Sequence, residues 1–158
     1  MSDARDQPGE GVSPVNIVRP ALKLTHDGAL AVMQAALATA TAMGAPQCIA
    51  IVDEGCNLLA FVRMDGARVL SVESATRKAM TAATTGEPTG HMPPEKASAL
   101  AAATSGRMTN LLGGLPLKVD GQIVGGIGVG SGTGEQDLEV ARAAVAAFAR
   151  HIGNMDVA

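Results

Sequence analysis

Residues 115–129, LPLKVDGQIVGGIGV, contain the clearest β-hairpin pattern in this chain of 158 residues. Two apolar segments flank the pair Asp120-Gly121, and such pairs are preferred in two-residue turns that need positive φ angles. Strands joined by so tight a turn must be antiparallel. The hairpin therefore predicts two adjacent antiparallel strands within a mixed, mostly antiparallel sheet.

A second hairpin is predicted earlier in the chain. The segments CIAIVD (48–53) and LLAFVR (58–63) are short and apolar, and the turn residues EGCN (54–57) separate them. Helices are predicted around the two hairpins, from Thr25 to about Met43, from Ser71 to Gly86, over 95–104 and after the capping-box pair Thr133 and Gln136. This order of elements predicts an α/β (α+β) domain with a mostly antiparallel sheet flanked by helices, and it argues against a doubly wound nucleotide-binding fold.

Composition excludes several classes of function. The chain has two Phe and no Tyr or Trp, so it lacks the aromatic platforms of base-stacking nucleic-acid modules. Its net charge of −3 gives no basic field for phosphate backbones. No apolar run reaches the length of a membrane span, and MSDARDQPGEG (1–11) lacks the apolar stretch of a signal peptide. We therefore expect a cytoplasmic protein that binds neither nucleic acid nor membranes.

The N-terminal segment differs from the rest. Residues 1–20 are rich in Pro and Gly with little periodicity, which predicts a flexible arm, although Val15, Ile17 and Val18 could dock as a short edge strand. Residues 21–155 are expected to form one compact domain.

The glycine-rich segment GGIGVGSGTG (125–134) has two interpretations. It contains no G-x-G-x-x-G spacing, and the chain has no Walker lysine pattern. It leads a strand into a helix N-terminus, where free N–H groups and the helix dipole favour a carboxylate, phosphate or propionate. Alternatively, its glycines allow a helix to pack closely on the strand.

Three titratable residues are candidates for chemistry, each with a plainer alternative. Lys78 lies on an Ala-rich helix and either holds an anion or acts as an acid in a pocket, or extends to solvent. Glu135 begins the last helix, where a carboxylate is stabilised by the dipole or takes part in catalysis. Asp53 ends a strand, where a turn-capping role is favoured over that of a general base.

Metal-ligand spacing is absent from the sequence, because His26, His91 and His151 have no second ligand at a suitable separation. His91, in the loop TGHMPP (89–94), is the best of three weak candidates for an axial haem ligand. Met64, Met92 and Met108 flank loops, and a pocket lined by methionines would suit a flat apolar ligand.

Two segments carry a resemblance to a known family. VDEGCNLLAFVRMDGA (52–67) and GLPLKVDGQIVGGIGVGSGTGEQD (114–137) resemble the GlcG/HbpS-like family, also called the haem-degrading or haem-binding HbpS-like domain. The resemblance covers residues 22–152. It implies a five-stranded antiparallel sheet flanked by helices, and homo-oligomers. The chain departs from the family pattern at Leu115, which stands where a third glycine is usual.

The resemblance also implies a small-ligand pocket near the second helix, the glycine hairpin and the start of the last helix. The residues that it assigns to this pocket are Asp53, Arg63, Lys78, Arg107, Gly113, Gly114, Gly126, Gly128, Thr133, Glu135 and Gln136.

Three functions are compatible with these observations. The first is an oligomeric, cytoplasmic small-ligand-binding protein that binds or degrades haem, its only candidate cofactor. The second is a metal-independent lyase, isomerase or hydrolase for a small carboxylate or aromatic acid, which Lys78 or Arg107 holds while Glu135 or Asp53 transfers protons. The third is an accessory subunit whose pocket is incidental.

Overall fold

The computed structural model describes residues 15–153 and contains four helices and four strands in that range. The elements, in chain order, are α1 (His26–Ala42), β1 (Cys48–Asp53), β2 (Leu58–Arg63), α2 (Ser71–Thr85), α3 (Pro94–Ala103), β3 (Gly114–Val119), β4 (Gln122–Gly130) and α4 (Gly134–Gly153).

The four strands form one antiparallel sheet in the order β2-β1-β4-β3. Asp120 and Gly121 both have positive φ angles, 49° and 77°, so the predicted tight turn joins β3 to β4. The two hairpins meet through β1 and β4, which pair over the whole of β1. The sequence therefore predicts the fold class correctly.

The expected fifth strand is not formed by the part of the chain that the structure describes. Val15, Ile17 and Val18, the candidate edge strand, have no regular secondary structure and are highly exposed. Three side chains flanked by Pro14 and Pro20 can bury little surface on a sheet edge, and Pro20 has no N–H to donate. The first 14 residues of the predicted arm lie outside the described range.

The sheet separates two apolar layers. On one face Ile49 and Ile51 of β1 pack with the buried sides of α1 and α4. On the other face Cys48, Ala50 and Val52 pack against α2. This alternation follows from the period of two in a strand, because successive side chains point to opposite faces.

Helix α2 lies directly on the sheet because glycines face it. A methyl group on Gly128 would lie 1.9 Å from the carbonyl oxygen of Ala75, and one on Gly126 would lie 2.5 Å from that of Ala79. Glycine on β4 and alanine on α2 thus let the backbone of the helix lie directly against the backbone of the strand. The packing interpretation of the glycine-rich segment accounts for these two positions.

Helix α3 differs from the other three helices. Within residues 15–153 it buries none of its side chains. The segments before and after α3 are joined by two hydrogen bonds. The Asn110 side chain accepts from the Met92 N–H and donates to the Met92 carbonyl, both over 2.9 Å. No helix in the described range is long and apolar enough to cross a membrane.

Candidate functional site

Lys78 and Asp137 form an ion pair inside the molecule. Lys78 Nζ lies 2.8 Å from Asp137 Oδ2 and donates to the carbonyl oxygen of Val129 over 2.6 Å. Each of the two residues is 3% exposed. The lysine therefore does not extend to solvent as sequence analysis allowed. It joins α2, the end of β4 and the first turn of α4.

The second oxygen of Asp137 continues this network. Asp137 Oδ1 accepts from the Gly132 N–H, which is also shared with Oε1 of the fully buried Gln47. Thr133 and Gln136 form the predicted capping box, since Thr133 Oγ1 accepts from the Gln136 N–H and Gln136 Oε1 accepts from the Thr133 N–H. The protein's own side chains thus accept from three of the N–H groups proposed for an anion, those of Gly132, Thr133 and Gln136.

The paired glycines lie beside the buried lysine. A methyl group on Gly113, whose φ is +111°, would lie 3.2 Å from Lys78 Nζ. One on Gly114 would lie 2.5 Å from the Lys78 carbonyl oxygen and 2.7 Å from Thr89 Cγ2. Both glycines are buried, so the space around them is filled by the protein.

Asp53 holds the β1–β2 turn. Its Oδ1 accepts from the N–H groups of Gly55 and Asn57, at 2.9 and 2.8 Å, and from the Asn57 side-chain amide. Burial alone would raise the pKa of Asp53, but these hydrogen bonds and the charge of Lys23 outweigh it and hold the pKa below its ordinary value of 3.8. A carboxylate held in this way keeps its charge and caps the turn. This is the role that the sequence favoured over that of a general base.

The residues assigned to proton transfer do not converge. Asp53 pairs with Gly125 of β4, whereas Lys78 contacts Val129 of the same strand. Gly125 and Val129 are four residues apart, which is about 14 Å along a strand. Glu135 is exposed in the first turn of α4. The structure therefore does not bring the acid–base set of the enzyme hypothesis to one place.

An open cleft lies instead on the outer face of α2. Its larger part, of ≈ 430 Å³, lies between α2, the β1–β2 turn and the segment that follows α3. A second part, of ≈ 200 Å³, adjoins it along α2, and Met80 and Arg107 line both. The remaining lining residues are Gly55, Cys56, Val72, Glu73, Thr76, Arg77, Thr84, Ala103, Thr104 and Met108. We call this the sulfur-lined cleft, after Cys56, Met80 and Met108.

Two arginines and Glu73 are the charged residues that line the sulfur-lined cleft. The Arg77 guanidinium contacts Glu73 at 2.8 Å and donates to the Gly106 carbonyl, which fixes it against the segment that follows α3. Arg107 is exposed, and within the described range it forms no salt bridge. The cleft thus presents one anchored and one available guanidinium beside a lining of mixed polar and apolar residues.

Only Arg107 of the predicted pocket residues lines this cleft. Lys78, on the opposite side of α2, faces the sheet, and Arg63 is exposed at the end of β2. His91 is exposed in the loop before α3 and does not line the cleft.

Most of the residues that line the cleft were not predicted from the sequence. Val72, Thr76, Met80 and Thr84 recur every four residues, which places them on one face of α2, while the alanines of α2 face the sheet. This four-residue spacing is the sequence signal that could have identified the face of α2 that lines the cleft. Of the methionines singled out for flanking loops, Met108 lines the cleft, whereas Met64 packs against the core and Met92 is clamped by Asn110.

Comparison with known proteins identifies close similarities. A family model described as "Haem degrading protein HbpS-like" matches residues 24–146. The chain is 32% identical over 130 residues to an uncharacterised 15.0 kDa protein of the dhaT–dhaS intergenic region of Citrobacter freundii, covering 79% of this chain and 92% of that one.

Two solved structures share the fold. Protein ORFY of Klebsiella pneumoniae superposes with a TM-score of 0.79 and 29% identity, covering 87% of this chain and 98% of its own. A PduOC–haem complex superposes with a TM-score of 0.71 and 28% identity, covering 80% of this chain and 95% of its own.

Proposed function

Because this chain belongs to the HbpS-like family, we propose that it binds haem, and that it does so in the sulfur-lined cleft. The observation that carries the proposal is the composition of that cleft, where Arg77 and Arg107 stand beside Met80, Met108 and Cys56. Haem needs cationic groups for its propionates, an apolar surface for its ring and a donor for its iron.

The residues present fit each part of the group. The Arg107 guanidinium, which has no salt-bridge partner in the described range, can form charge-assisted, two-pronged hydrogen bonds to a carboxylate, which suits a propionate. Thioethers are polarizable and adapt to flat ligands. The larger part of the cleft, ≈ 430 Å³, lies within the range of small-molecule sites, about 300–1,000 Å³. A bound haem would supply redox-active iron, while the chain's own residues would hold and orient the ring.

The relatives support the same ligand class. The family description names haem degradation, and PduOC has been crystallised with haem. We also propose that the protein is cytoplasmic, as its sequence predicts, and homo-oligomeric, as the resemblance implies.

A haemin titration followed by absorption tests the proposal. We expect a sharp Soret shift that saturates at one equivalent per chain. Arg107→Ala should weaken binding by about tenfold, because a charged hydrogen bond contributes about 1.5–3 kcal/mol and exposure to solvent reduces that. His91→Ala is the matched control, since this exposed residue lies outside the cleft and its removal should leave the titration unchanged.

Two results would contradict the proposal. A broad change that never saturates would exclude a haem site and favour the accessory-subunit interpretation. Saturable binding that His91→Ala weakens and Arg107→Ala leaves intact would place the haem elsewhere.

A further inference from the structure

A carboxylate stands at the end of the sulfur-lined cleft where the two arginines lie. Among the residues that the structure describes, Glu73 is the only acidic one that lines the cleft, and it shares the smaller part with Arg77 and Arg107. Glu73 lies in the first turn of α2, and Arg77 follows it four residues later on the same face of the helix. Any carboxylate of a ligand that enters this part therefore meets a negative charge as well as two positive ones.

Arg77 already donates to acceptors of the protein itself. Its Nε and Nη2 donate to Glu73 Oε2 over 3.2 and 2.8 Å, and its Nη1 donates to the Gly106 carbonyl. Each nitrogen of this guanidinium thus has an acceptor before a ligand arrives. Because Glu73 belongs to the same helix, it competes for Arg77 at the high effective concentration of an intramolecular group.

The two arginines therefore differ in what they offer a ligand. Arg107 forms no salt bridge within residues 15–153, so a first carboxylate can pair with it. A second carboxylate would meet Arg77, whose charge Glu73 neutralises, and would be repelled by Glu73 itself.

We propose that Glu73 is a specificity-determining residue that limits the sulfur-lined cleft to one carboxylate of its ligand, an inference that rests on the proposed function. The ligand class is then a flat, apolar molecule recognised through a single carboxylate. Haem would be held by one propionate at Arg107, with its other propionate in water.

A ligand series combined with one substitution tests this selectivity. Haemin, its monomethyl ester and its dimethyl ester carry two, one and no free carboxylates, and each is titrated by absorption into the wild type and into Glu73→Gln. Glutamine keeps the size of glutamate but not its charge, and the Glu73–Arg77 pair is partly exposed, so the fold should tolerate the change. Glu139→Gln, an exposed change on α4, is the control for net charge.

In the wild type, haemin and the monoester should bind within about twofold of each other, and the dimethyl ester about tenfold more weakly. Glu73→Gln should bind haemin about fivefold more tightly, because the second propionate gains an exposed ion pair with Arg77, and should bind the monoester as the wild type does. Glu139→Gln should match the wild type with all three ligands. Adding Arg77→Gln to Glu73→Gln should abolish the gain, with circular dichroism to verify folding.

The assignment is overturned if Glu73→Gln leaves the haemin affinity unchanged, or if it tightens haemin and the monoester equally. In both cases saturable binding of haemin by the wild type would leave the proposed function standing. If the wild type shows no saturable binding, the proposed function fails and this inference fails with it.

Discussion

The ammonium group of Lys78 is buried in the interior of the protein. The cost of removing it from water is offset by one carboxylate oxygen of Asp137 and the Val129 carbonyl. Breaking such a pair is more damaging than replacing both partners, because the remaining charge stays buried without compensation.

We therefore expect Asp137→Ala to lower the free energy of unfolding by about 3–5 kcal/mol, measured by urea denaturation. The double variant Lys78→Met, Asp137→Leu should recover part of this loss, because it leaves no buried charge. Glu139→Ala, an exposed change in α4 beyond its first turn, is the control and should stay within about 0.5 kcal/mol of the wild type. A loss below about 1 kcal/mol in Asp137→Ala would contradict the account.

The Asp53 turn makes a prediction about acid stability. Because the pKa of Asp53 is lowered below 3.8 in the folded state, its carboxylate stabilises the fold above that pH, and this stabilisation is lost as the pH falls through the folded-state pKa. Asp53→Asn should thus be less stable than the wild type near neutral pH. The difference between their urea midpoints should shrink between about pH 5 and pH 2. If the difference between the midpoints grew on acidification, the pKa of Asp53 would be raised in the folded state rather than lowered.

At the scale of elements, the contact between α2 and β4 is a backbone contact. Gly126 and Gly128 leave room for the helix, and the alanines of α2 complete the fit. The helix that carries the outer cleft wall is therefore positioned by residues on its opposite face.

Gly128→Ala tests this contact. The added methyl would overlap the Ala75 carbonyl and push α2 away from the sheet, so we expect a loss of about 3 kcal/mol or more in the free energy of unfolding. Gly153→Ala is the matched control, because nothing lies within 4 Å of a methyl group at the end of α4. Equal stability of the two variants would exclude the close-packing role.

Helix α3 should be the least protected helix. It buries no side chain in the described range, whereas six residues of α2 are buried. Hydrogen exchange should therefore be faster over Pro94–Ala103 than over Ser71–Thr85, because local opening costs little where few apolar contacts break. Equal protection in the two helices would mean that a partner covers α3.

The elements could be predicted from sequence because their signals are local. The Asp120-Gly121 turn, the capping box of Thr133 and Gln136 and the alternation in β1 each depend on neighbours in the chain. The cleft depends on contacts between distant segments, such as Cys56 with Thr84, which no local pattern encodes. Lys78 was singled out because it is a lysine on an Ala-rich helix, but its partner lies 59 residues away and its burial could not be foreseen.

At the scale of the whole molecule, the inner and outer faces of α2 have separate roles. The face toward the sheet holds the Lys78–Asp137 pair and the close glycine packing. The outer face carries Arg77 and Met80 and borders the sulfur-lined cleft. Sequence and resemblance predict a ligand near the start of α4, whereas we propose that it binds at the outer face of α2.

Paramagnetic broadening of backbone amide signals in NMR spectra distinguishes these two locations most directly. Spectra are compared between complexes with ferric haemin and with zinc protoporphyrin, a diamagnetic control of the same shape. We predict that the iron broadens the amides of Cys56, Met80 and Arg107 and leaves that of Glu135 sharp. Broadening centred on the first turn of α4, with the cleft residues unaffected, would contradict the account.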